Sequence, residues 1–273
     1  MNNLITRTLS GIVFVAAIAG ALLGGPLTFY LVFLIITGWC QFEFYKLASS
    51  DEANILMPLA ITAGVIIFSL NFLVAGGYID GKHLLWLLLL PPVIWVVEMF
   101  RKSHHPFRNL TYTLTGLVYP TLLMASVTYL AFISGDEHAY SHKLVLGLFV
   151  LIWVNDTFAY IAGVGLGKHK LLPGISPKKS WEGWIGGTLF TLLAAWVMFM
   201  LQGLFPLIHW LALAVIVSVT GTLGDLGESF LKRSAGVKDS GNIIPGHGGI
   251  LDRMDAALFI FPSSCFYLSL TLL

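Results

Sequence analysis

Asp225, Glu228, Ser229 and Lys232 stand at i, i+3, i+4 and i+7, so a helix carrying them presents all four on one face. Asp252 and Asp255, three residues apart, add two more carboxylates a little further on. Acids this dense repel one another unless something neutralises them. Oxygen ligands completed by water and substrate phosphates suit magnesium, which commonly works with only one or two carboxylates. Lys232, Arg233, Lys238 and Arg253 supply positive charge where phosphate oxygens would sit, and Gly246, Gly248 and Gly249 let a ligand approach the backbone closely. Carboxylates, cations and glycines in this order describe a metal–polyphosphate site. The alternative reading of the same spacing is a structural salt-bridge network, because charges near a bilayer also pair internally.

The setting sharpens the question. Thr220 to Asp255 is a polar stretch between two apolar ones: Leu207 to Val219 is apolar apart from His209 and Ser218, and Ala256 to Leu273 carries no charge. Over the 273 residues, 57% are hydrophobic and 11% charged, far below the roughly one-quarter charged of a soluble domain. Too few polar residues remain to coat a soluble exterior. The expectation is an all-α, polytopic integral membrane protein, read as one transmembrane domain over 1–273, with apolar spans in 1–140 and the chemistry in 141–273. Cys40 and Cys265 fall inside apolar segments and imply no disulfide framework. The net charge of +1 identifies no partner. Membrane lipids are expected partners and nucleic acid is not.

Apolar runs of about 20 residues, the length that crosses a hydrocarbon core, occur nine times, near 5–24, 27–46, 55–76, 83–100, 109–134, 143–166, 181–204, 207–231 and 251–272. About nine transmembrane helices are therefore expected, the fourth kinked at Pro91-Pro92. With nine spans, every Lys and Arg except Lys82 and Lys143 falls on one side; the other side keeps those two with Asp80, Asp136 and Glu137. The positive-inside rule then places the amino terminus and the polar cluster in the cytoplasm and the carboxyl terminus outside. If the eighth helix starts at Leu207, Asp225 lies about 27 Å along it at 1.5 Å per residue, near the inner edge of the membrane. Asp252, at the start of the ninth, is expected at similar depth, so that the two acids could meet where a lipid headgroup and a cytosolic solute both reach them.

Two stretches carry a resemblance. Ser229-Phe-Leu-Lys-Arg, four residues, Lys238-Asp239, then Pro245-Gly-His-Gly-Gly-Ile-Leu-Asp-Arg-Met-Asp255 resembles, without a gap, the signature of the phosphatidate cytidylyltransferases, or CDP-diacylglycerol synthases. Asp156-Thr-Phe-Ala-Tyr160, through Gly167-Lys168, to Ser176-Pro-Lys-Lys-Ser-Trp-Glu-Gly183 is similar to the family's central loop, with Ser180 where Thr is usual. The matches cover the carboxyl-terminal half. The amino-terminal spans fit the family without identifying it.

The resemblance implies a reaction. Family members join CTP to phosphatidic acid, giving CDP-diacylglycerol and pyrophosphate. Both reactants are polyanions, so magnesium and a basic surround must cancel their repulsion, and in-line positioning does most of the rest. Carried over from the family, Asp225 and Asp252 are the metal carboxylates, with room for a second cation. Lys232, Arg233, Lys238, Asp239, His247, Arg253 and Asp255 are the candidate catalytic residues. Asp156, Ser176, Lys178, Lys179, Glu182, Glu228 and Ser229 are the candidate substrate-binding residues. A homodimer is expected from the family alone.

Other polar residues have plainer readings. Glu43 has Lys46 three positions on, and Glu98 has Arg101 and Lys102 three and four on; both read as snorkelling ion pairs at the inner interface. Ser180 is placed to cap the helix that follows, and Glu182 divides evenly between helix-start stabilisation and a role in the site. Trp39, Trp86, Trp181 and Trp210 read as interfacial anchors. The rival functions are another CTP-using lipid enzyme, such as a polyprenol kinase or an archaeal-type lipid cytidylyltransferase, and an ion-coupled transporter. Against the transporter stand the absence of an internal repeat in the sequence and charges gathered at one face rather than the midplane.

Overall fold

The structure, a computed structural model, describes residues 3–49, 53–133, 138–246 and 248–272. His247, Asp136 and Glu137 of the reading above lie outside them. Among the described residues, eight helical segments are long and apolar enough to cross a membrane: 26–48, 57–75, 81–101, 106–132, 142–166, 181–202, 207–234 and 251–272. A further helix, α1 (Asn3–Leu23), carries a shorter apolar stretch. Each expected run is thus a helix, and the chain is an all-α polytopic membrane protein. The reason is the one that limits all such chains: in hydrocarbon each backbone N–H and C=O must find its partner within the segment.

Proline decides the two irregular spans. The fourth was expected to kink at Pro91-Pro92. Instead a 3₁₀ segment, Gly81–Leu89, ends there and an α-helix begins, Leu90–Arg101, with the prolines in its first turn. Their missing N–H groups coincide with donors that a helix start leaves unpaired anyway. The fifth span changes winding midway. Helix Pro106–Gly116 passes into a π-turn, Leu117–Leu122, that contains Pro120, then into helix Leu123–Phe132. Thr121 Oγ1 donates to the Gly116 carbonyl at 3.1 Å, giving a partner to an acceptor whose α-helical donor position, Pro120, has no N–H.

The remaining helices are α2 (Pro26–Ala48), α3 (Met57–Ala75), α4 (Leu90–Arg101), α5 (Pro106–Gly116), α6 (Leu123–Phe132), α7 (His142–Leu166), α8 (Trp181–Gln202), α9 (Leu207–Ser234) and α10 (Leu251–Leu272). Between α7 and α8 the chain makes a small antiparallel hairpin, β1 (Lys170–Leu172) and β2 (Ser176–Ser180), with Lys170 opposite Ser180 and Leu172 opposite Ser176. The central loop of the sequence reading is therefore a defined β element.

The chain divides into two compact units, Met1–Tyr140 with Asp239–Met254, and Ser141–Lys238 with Asp255–Leu273. The first unit is held by aromatic packing and by polar ties. Phe29 contacts Phe33, Phe72 and Tyr140, and Phe132 meets both Phe72 and Tyr140 edge-on; such pairs contribute about 0.5–1.5 kcal/mol each beyond their area. Tyr45 Oη donates to the Thr113 carbonyl at 2.9 Å, and Gln41 Nε2 donates to Tyr45 Oη at 3.0 Å and to the Ala60 carbonyl at 2.8 Å. A Cβ at Gly116 would run into the Tyr45 ring, and one at Gly64 into the Gln41 amide. Small residues admit these polar side chains between helices that have no water to drive them together.

In the second unit the same device brings α7 and α8 close. A Cβ at Gly183 would meet the Ala159 carbonyl, and one at Gly187 the Asn155 carbonyl and the Ala159 side chain. Thr188 pairs with Ser218, and Trp184 Nε1 donates to the Ser218 carbonyl at 3.1 Å, tying α8 to α9. Trp210 is not an interfacial anchor as expected. It is fully buried, its ring lying where a Cβ on Gly147 would go. Trp39, Trp86 and Trp181 are exposed.

Candidate functional site

The second unit assembles the α9 face that the spacing foresaw. Ser229 Oγ lies 3.5 Å from Asp225 Oδ1, and Lys232 pairs with Glu228 across i, i+4. The Glu228 side chain is 1% exposed and Lys232 12%, so this pair is desolvated and each charge depends on the other. Asp225 is more open and takes a partner from outside its helix: Lys179 Nζ, on β2, sits 2.5 Å from Asp225 Oδ2. At Gly224 a Cβ would strike the Asp255 carbonyl and Ala256, so the backbones of α9 and α10 are in contact beside Asp225. Asp255 accepts a hydrogen bond from the Ala256 N–H at 2.7 Å, and its charge interacts with those of Asp225, Asp156 and Lys232. Asp225 and Glu228 thus face Lys179 and Lys232, with the carboxyl of Asp255 close enough to interact with Asp225, Asp156 and Lys232.

The hairpin is oriented by the start of α8. Ser180 caps that helix as expected, accepting from the Gly183 N–H at 3.2 Å. Glu182 folds back to accept from the Lys168 N–H at 3.1 Å, the His169 N–H at 3.2 Å and His169 Nδ1 at 2.6 Å. Its contacts hold the entry to β1 and so fix where Lys178 and Lys179 are presented. Lys178 is exposed and Ser176 half-buried.

The first unit holds the loop that precedes α10. Asp252 Oδ2 accepts from the Ser240 N–H at 3.0 Å and the Gly249 N–H at 2.7 Å. The expectation for Asp252 was a metal carboxylate; what the structure shows is one of its oxygens organising the loop. Gly246 and Gly248 have φ of 77° and 85°, a left-handed backbone that favours glycine, and a Cβ on Gly248 would press on Asp252 Oδ2. Asp239 and Arg253 of this unit are exposed, as are Arg233 and Lys238 of the other. Arg233 donates to the Val237 carbonyl at 3.1 Å.

Two acids set aside as snorkelling are not. Glu43 is 3% exposed. Its oxygens accept from Ser240 Oγ at 3.0 Å, the Ile250 N–H at 3.2 Å and the Leu251 N–H at 2.8 Å, while Lys46 is exposed. Glu98 does pair with Arg101, at 3.4 Å, but it is also buried and accepts from Asn109 Nδ2 at 2.6 Å and from Ser103 Oγ. At Glu43 hydrogen-bond donors take the place of the nearby cation, and at Glu98 they add to it, because a carboxylate removed from water needs its lone pairs filled. Nothing local in the sequence signals the partners of Glu43, which lie about 200 residues away.

Among the described residues, no three acidic, imidazole or thiol groups converge closely enough to ligate an ion unaided. Magnesium asks for less, one or two carboxylates with phosphates and water. Asp225, 38% exposed, carries hard oxygen donors of the kind such an ion takes.

Comparison with known proteins gives the family. The model of the cytidylyltransferase family matches residues 5–271. A phosphatidate cytidylyltransferase of Staphylococcus saprophyticus is 34% identical over 94% of this chain and 95% of its own. One from Haemophilus influenzae is also 34% identical, over 94% and 95%. One from Staphylococcus haemolyticus is 38% identical over 69% of this chain and 70% of its own. With nearly its whole length matched, the chain belongs to the cytidylyltransferase family.

Proposed function

We propose that the chain is a phosphatidate cytidylyltransferase, an integral membrane nucleotidyltransferase that makes CDP-diacylglycerol from CTP and phosphatidic acid. The observation that carries the reading is near full-length similarity to proteins of that name. The polar segment that ends at Asp255 fits the chemistry. An oxygen of the lipid phosphate attacks the α-phosphorus of CTP, the bond from that phosphorus to the bridging oxygen of the β-phosphate breaks, and pyrophosphate leaves. No protein nucleophile is needed, because a phosphate monoester is already ionised.

The protein's work is to bring two polyanions together and hold them in line. Lys178 and Lys179 on the hairpin, with Lys232, Arg233, Lys238 and Arg253, are proposed to contact phosphate. Asp225 and Asp252 are the proposed magnesium carboxylates, and Asp255 is the neighbouring acid that interacts with Asp225. Bound magnesium would neutralise the triphosphate and the charge that develops on the leaving group. We place the phosphate-contacting loops in the cytoplasm, with the amino terminus inside and the carboxyl terminus outside, on the distribution of Lys and Arg. A homodimer is part of the same proposal.

Radiolabelled CTP tests the reaction. Purified protein with magnesium and phosphatidic acid should move α-phosphate label into lipid and release pyrophosphate in equal amount. Label entering lipid from the γ-phosphate would mean a kinase. No label in lipid from either position would overturn the reading.

A further inference from the structure

We infer that Glu43, on α2 in the amino-terminal half, is the positioning residue for the signature loop Ser240–Leu251. The catalytic arm of this inference rests on the proposed reaction; the structural arm does not.

The sequence reading paired Glu43 with Lys46. The structure turns it the other way, into the first unit's interior, where it is 3% exposed. A carboxylate so buried persists only if its oxygens are filled by donors. Those donors all come from one loop. Ile250 and Leu251 offer the N–H groups at the start of α10, at 3.2 and 2.8 Å. These are donors that a helix start leaves without internal partners, at the positive end of its dipole. Ser240 Oγ, at the other end of the loop, supplies the third hydrogen bond at 3.0 Å. One carboxylate therefore gathers both ends of the loop onto α2.

A second carboxylate closes the same loop. The Ser240 N–H donates to Asp252 Oδ2, as does the Gly249 N–H. Ser240 is thus shared, its backbone on Asp252 and its hydroxyl on Glu43. The glycines record how tightly the clasp is drawn. A Cβ on Gly241 would collide with the Glu43 carboxylate, and one on Gly249 with both Glu43 and Ser240. Asp252 is a proposed magnesium carboxylate. Its aim depends on a loop whose two ends are fastened to Glu43, so Glu43 acts on the reaction through Asp252 without touching substrate.

The test is Glu43→Gln in the full-length protein in detergent, read in two ways. Gln has nearly the same shape but keeps only one acceptor oxygen, and it points an NH₂ at donors. Hydrogen exchange of the peptide covering Ser240–Leu251 should quicken by about tenfold or more, with the α2–α3 peptides unchanged and the thermal midpoint little altered. The magnesium concentration for half-maximal turnover of CTP and phosphatidic acid should rise about tenfold or more. A merely structural role would lower the folded fraction without moving that concentration. Lys46→Ala is the control and should change neither reading.

If Glu43→Gln does not fold, Ser240→Ala, which removes one of the three hydrogen bonds, carries the same two measurements with smaller shifts in the same direction. Unchanged exchange of the loop in the folded variant, or faster exchange throughout the protein, would overturn the clasp. So would an unmoved magnesium dependence in an enzyme whose loop had loosened. A wild-type protein that makes no CDP-lipid, with loop exchange still raised in Glu43→Gln, would overturn the reaction and leave the clasp standing.

Discussion

Lys179 Nζ lies 2.5 Å from Asp225 Oδ2, a contact between the hairpin and α9 inside one compact unit. The two side chains are 28% and 38% exposed. Water screens a pair that open, so it contributes about 0–1 kcal/mol to stability. The contact therefore does little to hold the fold. What it does is keep a cation against a carboxylate that remains accessible.

Asp225→Asn follows from that exposure. Size and most hydrogen bonding survive; the charge a magnesium ion needs does not. Turnover should fall by about a hundredfold or more. The melting temperature should move by no more than about 4 °C, the size of a 1 kcal/mol change in a protein of this length. The check is CDP-lipid formation beside a thermal scan in the same detergent. A folded variant with near-normal turnover at limiting magnesium would sink the metal assignment, and a collapsed melting temperature would favour a structural salt bridge.

Asp252→Asn should behave differently, although the sequence treats the two acids alike. Asp252 is 8% exposed and holds two backbone N–H groups on one oxygen. Hydrogen bonds to a charged group contribute about 1.5–3 kcal/mol. The variant should therefore lose stability as well as turnover, with a drop in melting temperature several times that of Asp225→Asn. Equal shifts in the two variants would contradict the loop-holding role seen for Asp252.

Glu182→Ala probes the hairpin. Three donors at Lys168 and His169 lose their acceptor, while Ser180 still caps α8. The helix should persist and the hairpin should loosen. The expected signs are faster tryptic cleavage at Lys168 and Lys170 and a KM for CTP raised by about tenfold, with kcat changed less because this carboxylate positions the lysines proposed to contact phosphate. A lower kcat at unchanged KM would instead place Glu182 in the chemical step.

How much of this was legible in the sequence depends on the range of the interaction. Apolar run length found the spans, because a bilayer sets that length for each helix separately. The i, i+3, i+4 spacing found the Asp225–Ser229 and Glu228–Lys232 neighbours, which belong to one helix. The same rule failed at Glu43. It offered Lys46 as a partner, while the loop donors that capture Glu43 lie beyond any local pattern. Proline positions were plain, but whether Pro91 and Pro92 bend a helix or begin one turns on the winding of Gly81–Leu89, and no turn residue announces it. Glu98 was half right: Arg101 is there, yet Asn109 and Ser103 make the burial possible.

Sidedness can be tested with single cysteines, and the structure decides where to put them. Ser240, an obvious choice in a basic loop, is 4% exposed and hydrogen-bonded through both its N–H and its hydroxyl. A cysteine there would report burial, not topology. Val237, 39% exposed just beyond α9, suits the basic side. Lys82, beside Asp80 in an exposed ion pair, suits the other. The native Cys40 is buried and Cys265 lies within α10, so removing both leaves a quiet background at little risk to the loops. If the basic loops face the cytoplasm, a membrane-impermeant maleimide added to intact cells should label Lys82→Cys and spare Val237→Cys. Inverted vesicles should give the reverse. Labelling of Val237→Cys in intact cells would put the signature loop outside, away from cytosolic CTP, and with it the proposed reaction would lose its substrate.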